Sequence, residues 1–302
     1  MESTMTKINR ADLSAANLRT LRRMKISAGI RYFILIVIGL FMAYPLFWML
    51  GSSFKVNADI FNSINIFPPA GNATFDNFPA AWNITRLGNM WFYYMNTLRF
   101  LIPRVIFQVA SCTLTAYAIA RFNFPGKKLI FGAVMLTLLM PDIAFRIPVF
   151  FIFRDLGLLD THASLYVQEA FAVNSFFVFM IIQFMRTIPR ELDEASVIDG
   201  CGPLRTLLYV LAPVLRPIII TVGLLTFMWG SNEFLGPLIY LNDPTKHVLA
   251  QALRGLMGDA DTLVNYGAIF AAATIAIIPT LAIFFACSKF FVDSVAQSGL
   301  KE

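Results

Sequence analysis

Two groups of residues carry the chemistry available to this 302-residue chain. The first lies in ELDEASVIDGCGPLRTLLYVLAP, residues 191–213, where Glu191, Asp193, Glu194 and Asp199 gather around Ala195, Ser196 and Gly200. Carboxylates this close together suit charge-assisted hydrogen bonds to a cationic partner, each worth ~1.5–3 kcal/mol. The second group is dispersed: Asp142, Arg146, Glu169 and Glu233 each interrupt an apolar run, with Asn174, Ser231 and Asn232 as polar neighbours. An ionisable side chain inside an apolar span is costly and marks a functional hypothesis by default. Asp142 and Arg146 are four residues apart, so one helix face brings them together as a pair. Either this pair is self-neutralised and the others reach the headgroups, or several of the four line a polar cavity or outer gate. In the second case the amides and hydroxyl hydrogen-bond a solute.

The chemistry that is missing narrows the class. No Gly-x-x-x-x-Gly-Lys-Ser/Thr phosphate loop occurs; PGKK, residues 125–128, lacks both the upstream glycine spacing and the hydroxyl ligand. The two histidines, His162 and His247, lie in separate loops with no second ligand beside them, and no Gly-x-Ser-x-Gly elbow occurs. Cys112, Cys201 and Cys287 are an odd, scattered set, which is neither a disulfide framework nor a zinc site. Catalysis within this chain is therefore not expected, and no cofactor or metal is expected to bind it. The net charge of +6 does not read as nucleic-acid affinity, because the basic residues flank apolar runs.

The elements that must position these residues are membrane spans. The chain is 58% hydrophobic and 14% charged, whereas soluble domains carry about 25% charged residues. Mean hydropathy is +0.68. Runs of about 20 apolar residues cross ~30 Å of hydrocarbon at 1.5 Å per residue. Six spans are expected, at residues 30–50, within 91–120, 129–150, 163–182, 217–241 and 266–287. The fold class is all-α and polytopic: a tail at 1–29, a six-helix body at 30–287 with its main loop at 186–216, and a tail at 288–302. About 27 mostly polar residues precede the first span, too many for the n-region of a cleavable signal.

Orientation follows from Lys and Arg. One side carries Lys7, Arg10, Arg19, Arg22, Arg23, Lys25 and Arg31, then Arg121, Lys127 and Lys128, then Arg186, Arg190, Arg205 and Arg216, and finally Lys289 and Lys301. The other side offers Lys55, Arg86, Arg154, Lys246 and Arg254. The basic excess of about threefold marks the cytoplasmic side, which places both termini and the 186–216 loop there. Arg99 and Arg104, toward the outer end of the second span, are expected to snorkel as anchors.

Within the loop, acids follow Pro189, and acids near a helix N-terminus are favoured by its dipole. Gly200, Cys201 and Gly202 break the helix, and Pro203 suits the start of a second one. Leu204, Leu207, Leu208 and Leu211 recur at helical spacing as one apolar face that Pro213 ends. A connector and a docking knob for a partner are both compatible with this pattern.

At this point the chain resembles the binding-protein-dependent ABC importer permeases. Their loop signature is Glu-Ala-Ala, three residues, Gly, nine residues, Ile-x-Leu-Pro. Here Glu194-Ala195-Ser196, Gly200 and Val210-Leu211-Ala212-Pro213 keep that spacing. AYAIARFNFPGKK, IPRELDEASVIDG, GSNEFLGPLIYLNDP and the segment from residue 266 to 292 are similar to the carbohydrate-uptake branch, notably the smaller permease subunits of maltose and glycerol-3-phosphate type importers. The resemblance implies that residues 186–216 are coupling helices seated on an ATP-hydrolysing subunit, with Glu194 as the charged contact and Gly200 as the turn. It also implies a second permease subunit, two cytoplasmic ATPase subunits that hold ATP and magnesium, and an extracytoplasmic solute-binding protein facing residues 242–265. The tail, with Gly299-Leu300-Lys301, would touch the ATPase pair. A stand-alone secondary carrier or channel is the alternative.

Overall fold

A computed structural model describes residues 10–62, 64–83, 88–257 and 264–299, with side chains described in fewer of them at the two ends. Lys7, Arg86, Gly258, Asp259, Asp261, Leu300 and Lys301 lie outside the described residues. Among the described residues the structure is helical, with an isolated bridge between Lys55 and Ala73. The helices are α1 (Arg10–Ser52), α2 (Asn77–Trp82), α3 (Met90–Arg121), α4 (Lys127–Leu138), α5 (Ile143–Asp155), α6 (Ser175–Arg186), α7 (Glu191–Ile198), α8 (Pro203–Arg205), α9 (Ala212–Ser231), α10 (Leu235–Tyr240), α11 (Leu249–Gly255) and α12 (Tyr266–Gly299).

Four helical stretches are long and apolar enough to cross a membrane: Ser27–Ser52, Met90–Arg121, Pro203–Ser231 and Tyr266–Lys289. α4 and α5 qualify only as a bent pair, turning by 109°. The third expected span is therefore not one rod. Pro141 stands at the break, where it can donate no backbone bond and would clash with the carbonyl four residues back. The fourth expected span also differs. Residues 162–171 wind as two 3-10 turns, His162–Leu165 and Val167–Phe171, and only α6, of 12 residues, is α-helical. The fifth begins earlier than expected. α8 runs through a π-helical stretch, Thr206–Leu211, into α9, so Pro213 opens α9 rather than ending a helix. Glu233 then sits in the turn between α9 and α10, not within a span.

The main core is formed where α3, α6 and α9 meet. Cys112, Ala116, Phe177, Ile181, Met185, Leu211, Leu215 and Val222 are buried there. Burying a side chain of this size contributes roughly 1.5–3 kcal/mol. A second cluster at the end remote from α7, called here the far end, gathers Phe100, Leu101, Phe153, Leu165, Tyr240 and Val248. Polar ties hold that end. Asn96 Nδ2 donates to the carbonyls of Thr245 and His247, each at 2.9 Å. Asp160 Oδ1 accepts from the backbone N–H groups of Asn242 at 3.0 Å and Asp243 at 2.9 Å, while its Oδ2 meets Lys246 Nζ at 3.1 Å. Lys55, read from the sequence as a loop charge, is wholly buried; it donates to the Asn65 carbonyl beside the Trp48 ring.

Candidate functional site

The first site is the elbow between α6 and α9. α7 starts after Arg190 and places Glu191, Asp193 and Glu194 in its first turn. It ends on Gly200, whose φ of +76° is the left-handed conformation that glycine adopts without a Cβ penalty. Cys201 N donates to Ser196 O at 2.9 Å and Gly200 N to Val197 O at 3.0 Å, the paired bonds of a Schellman ending. Across the turn, Ser196 Oγ and Thr206 Oγ1 are 2.8 Å apart and both residues are buried. Ser196 is thus the pin that holds the two arms of the elbow.

The elbow turns two different faces to its surroundings. Inward, Leu207 and Leu211 are buried in the main core. Outward, Val197, Ile198, Leu204, Leu208 and Tyr209 are exposed, Ile198 at 87% and Tyr209 at 75%. The single leucine face expected from the sequence is divided, because the π-helical turn carries Leu207 and Leu211 to the core and leaves Leu204 and Leu208 outside. Glu191, Glu194, Ala195 and Asp199 are exposed with the outer set. Asp193 is not. Its Oδ2 lies 3.2 Å from Arg121 Nε at the end of α3. A cleft of roughly 190 Å³ opens beside this pair, lined in part by Tyr117, Arg121, Arg190, Glu194 and Cys201.

The second site is a buried ion-pair network about 26 Å along α3 from Arg121, counted at 1.5 Å per residue. Arg104 Nη2 meets Glu169 Oε1 at 3.1 Å, and Arg104 Nη1 is in close contact with Glu233 Oε2. Arg146 Nη2 meets Glu233 Oε1 at 2.8 Å. Two cations and two anions therefore join α3, the Val167–Phe171 turn, α5 and the α9–α10 turn. Glu169 is 3% exposed, and its Oε2, like Arg104 Nε, has no hydrogen-bond partner. Gly236 makes room: a Cβ there would come within 2.6 Å of Glu233 Oε1 and 2.9 Å of Arg146 Nη1.

Several sequence expectations are corrected here. Arg146 pairs with Glu233 rather than Asp142, because the break at Pro141 leaves Asp142 at the foot of α5, exposed. Arg104 is not a snorkelling anchor but the centre of the network. Of the polar neighbours, Asn174 caps α6 by accepting from Phe177 N at 3.3 Å. Ser231 and Asn232 donate back to carbonyls of their own helix, Phe227 and Met228, each at 2.8 Å. Of the four ionisable residues singled out in the sequence, the structure brings together Arg146, Glu169 and Glu233 and leaves Asp142 apart; Arg104, Arg121, Tyr117 and Thr206 are not among the site residues read from the sequence. The signal for Arg104 was present: it interrupts an apolar run as plainly as the acids do, and the acids needed a cation.

The architecture defines a class: a multi-pass helical membrane protein in which α6 and α9 are joined by a compact elbow with an exposed apolar and acidic outer face. Matched to known proteins, that is a permease subunit which works within a larger transport assembly. The chain belongs to the family of binding-protein-dependent transport system inner membrane components, whose profile matches residues 112–297. It is 30% identical over 270 residues to a diacetylchitobiose uptake system permease of Streptomyces coelicolor, covering 89% of this chain and 88% of that one. It is 28% identical over 258 residues to a melibiose, raffinose and stachyose import permease of Bacillus subtilis, covering 85% and 91%. An sn-glycerol-3-phosphate transport permease of Rhizobium meliloti shares 30% over 203 residues, 67% of this chain and 71% of that one. A crystal structure of a bacterial ABC transporter that imports the acidic polysaccharide alginate shares the fold, with a TM-score of 0.75 at 21% identity over 89% of this chain and 98% of that one.

Proposed function

We propose that this permease subunit carries a sugar, oligosaccharide or polyol derivative inward across a bacterial plasma membrane, driven by ATP hydrolysed on partner subunits. Relatives over two thirds or more of the chain are permease proteins of diacetylchitobiose uptake, of melibiose, raffinose and stachyose import, and of sn-glycerol-3-phosphate transport. The observation that carries the mechanism is the elbow's outer face, where Val197, Ile198, Leu204, Leu208 and Tyr209 stand exposed next to Glu191 and Glu194. Apolar side chains held out on a fixed turn, ringed by acids, suit a groove on a cytoplasmic ATPase. Glu194 supplies the charged contact and Gly200 the turn. ATP and magnesium belong to two such ATPase subunits, and no cofactor is assigned to this chain.

In the full reading the chain crosses the membrane six times, counting α4–α5 and the residue 162–186 segment as one crossing each. The basic excess puts both tails and the elbow in the cytoplasm. The far end, with residues 242–265, then receives an extracytoplasmic binding protein, and a second permease subunit completes the pathway. Closure of the ATPases moves the elbow and turns the pathway outward; release of products resets it. Because the two arginines and two glutamates of the network pair with each other, it holds the outer half together rather than recognising a charged solute.

The test is reconstitution with the partner subunits and the matching binding protein in liposomes, offering labelled diacetylchitobiose, raffinose, melibiose and glycerol-3-phosphate in turn. ATP-dependent accumulation of at least one is expected. Glu194→Lys and Gly200→Pro should each leave the protein in the membrane yet uncouple hydrolysis from uptake. Accumulation driven by an ion gradient in liposomes that hold this chain alone would instead establish a secondary carrier.

A further inference from the structure

The structure places Asp193, one of the acids expected to face a partner, on the opposite side of α7, against the end of α3. Four polar contacts converge there. Arg121 Nε lies 3.2 Å from Asp193 Oδ2, and Arg121 Nη2 donates to the Ile188 carbonyl at 3.2 Å. Tyr117 Oη donates to the Pro203 carbonyl at 3.1 Å, and Arg190 Nη2 to the Ala120 carbonyl at 3.4 Å. Both arms of the elbow are thereby tied to one helix, and the Ser196–Thr206 pin ties the arms to each other. The Arg121 side chain is 7% exposed and that of Asp193 22%, so the pair is shielded from the screening that weakens surface pairs. No chain segment links α3 to α7 directly; α4, α5 and α6 intervene. The contact is therefore tertiary, an ion pair in which Arg121 Nε and Asp193 Oδ2 attract by charge without forming a hydrogen bond.

α3 has a second set of ties further along. Arg104 joins it to the buried network and Asn96 to the Thr245–His247 backbone. One helix thus carries polar contacts at both ends and at its middle. We infer that Arg121 and Asp193 form a strut that makes α3 and the elbow one rigid body, so that α3, rather than the covalently attached α6 and α9 alone, carries elbow movement to the far end. Asp193 and Arg121 are positioning residues on this account, and neither touches the solute or the ATPase. The inference rests on the ATP-driven reading for the source of the movement, but the strut itself is a property of this chain.

The experiment uses the assembled transporter with Cys112, Cys201 and Cys287 replaced and spin labels at Trp91→Cys, at the far end of α3, and Leu192→Cys, on α7. Pulsed dipolar distances are read without nucleotide and with magnesium–ATP trapped by vanadate. With the strut intact, one narrow distance is expected in both states. Asp193→Ala should broaden the distribution without nucleotide and shift it when nucleotide is trapped. Uptake of the solute found active in the liposome panel, per ATP hydrolysed, should fall by about 5- to 150-fold, the span of typical coupling between linked sites. Asp193→Glu should keep the narrow distance, and the exchange Arg121→Asp with Asp193→Arg should restore it. The strut is overturned if the labels separate between states with the pair intact, or if Asp193→Ala leaves the distribution unchanged. Loss of the ATPase from an Asp193→Ala particle whose distance is unaltered also overturns it, making Asp193 a docking residue. If no ATPase copurifies with the unmodified chain, the importer mechanism fails, while the nucleotide-free width still decides the strut.

Discussion

Arg104 shows what a single side chain decides in this protein. Its largely buried guanidinium faces two carboxylates, and each buried charge is tolerable only while its partner stays. Removing the cation leaves Glu169 buried with no counter-charge, since its other oxygen already lacks a partner. Arg104→Ala is therefore expected to cost about 3–5 kcal/mol, the usual penalty for breaking one side of a buried pair. Arg104→Met combined with Glu169→Met removes the stranded charge, and Arg146 still holds Glu233. The melting temperature of the purified protein in lipid nanodiscs should then fall most for the single variant and be largely recovered in the double one. A double variant that melts at or below the single one would show that the pairs contribute more than mutual neutralisation. Gly236→Ala probes the same network from outside it, because the added methyl pushes on Glu233 and Arg146 together; a loss of about 1–3 kcal/mol, typical of overpacking, is expected by the same melting measurement.

Elements were legible in the sequence to the extent that hydrophobic length and punctuation state them. α12 was placed well because its apolar run is long and little interrupted, and α3 because its run is long enough to stand out despite Arg99, Pro103 and Arg104. The α4–α5 break was missed although Pro141 announces it, because a summed hydropathy window does not register one missing N–H. The 3-10 turns at residues 162–171 were missed for a related reason: their apolar content matches a span, and only tertiary packing selects the tighter winding. The elbow was read from its glycines and prolines, but the π-helical turn that divides its leucines was not, since a wider turn leaves no mark in side-chain spacing. The far-end loop gives an element-scale prediction. Asp160 is held below the ordinary carboxylate range, first by the Asp243 backbone N–H and then by the Lys246 ammonium and the Asn242 N–H. A carboxylate lowered on folding adds stability above its unfolded value, and that stability is lost as pH falls through the folded value. Acidification below the normal aspartate range should thus release residues 242–246, raising amide exchange at Asn242 and Asp243 from below the level of Asp160→Asn up to that level at the same pH. Equal pH dependence in both proteins would remove Asp160 as the clamp.

At the scale of the whole molecule, the chain alone is an incomplete object. None of the α1 window that could cross a membrane is buried in the structure, whereas 39% of the α3 and α9 windows are. α4 buries no residue at all, and Ile143, Ile147 and Ile152 of α5 are exposed. In hydrocarbon such surfaces need no protein cover, but an exposed Asp142 at a break in the helix does need water or a polar neighbour. Solvent and partners must therefore approach from defined directions, and the arrangement depends on which end of the bundle faces the cytoplasm. The basic excess on the elbow side makes that a sharp expectation. With the natural cysteines replaced, a cysteine at Ile198 should react with a membrane-impermeant maleimide in inside-out vesicles and stay unlabelled in right-side-out ones. One at Thr245, in the loop clamped by Asp160, should show the reverse. Labelling of Ile198→Cys from outside would place the elbow away from any ATP-hydrolysing subunit and leave this permease with no route for energy to enter. Labelling of both positions from one side would deny that the bundle spans the bilayer between them, since α3 runs the length from Arg121, beside the elbow, to Asn96, beside Thr245.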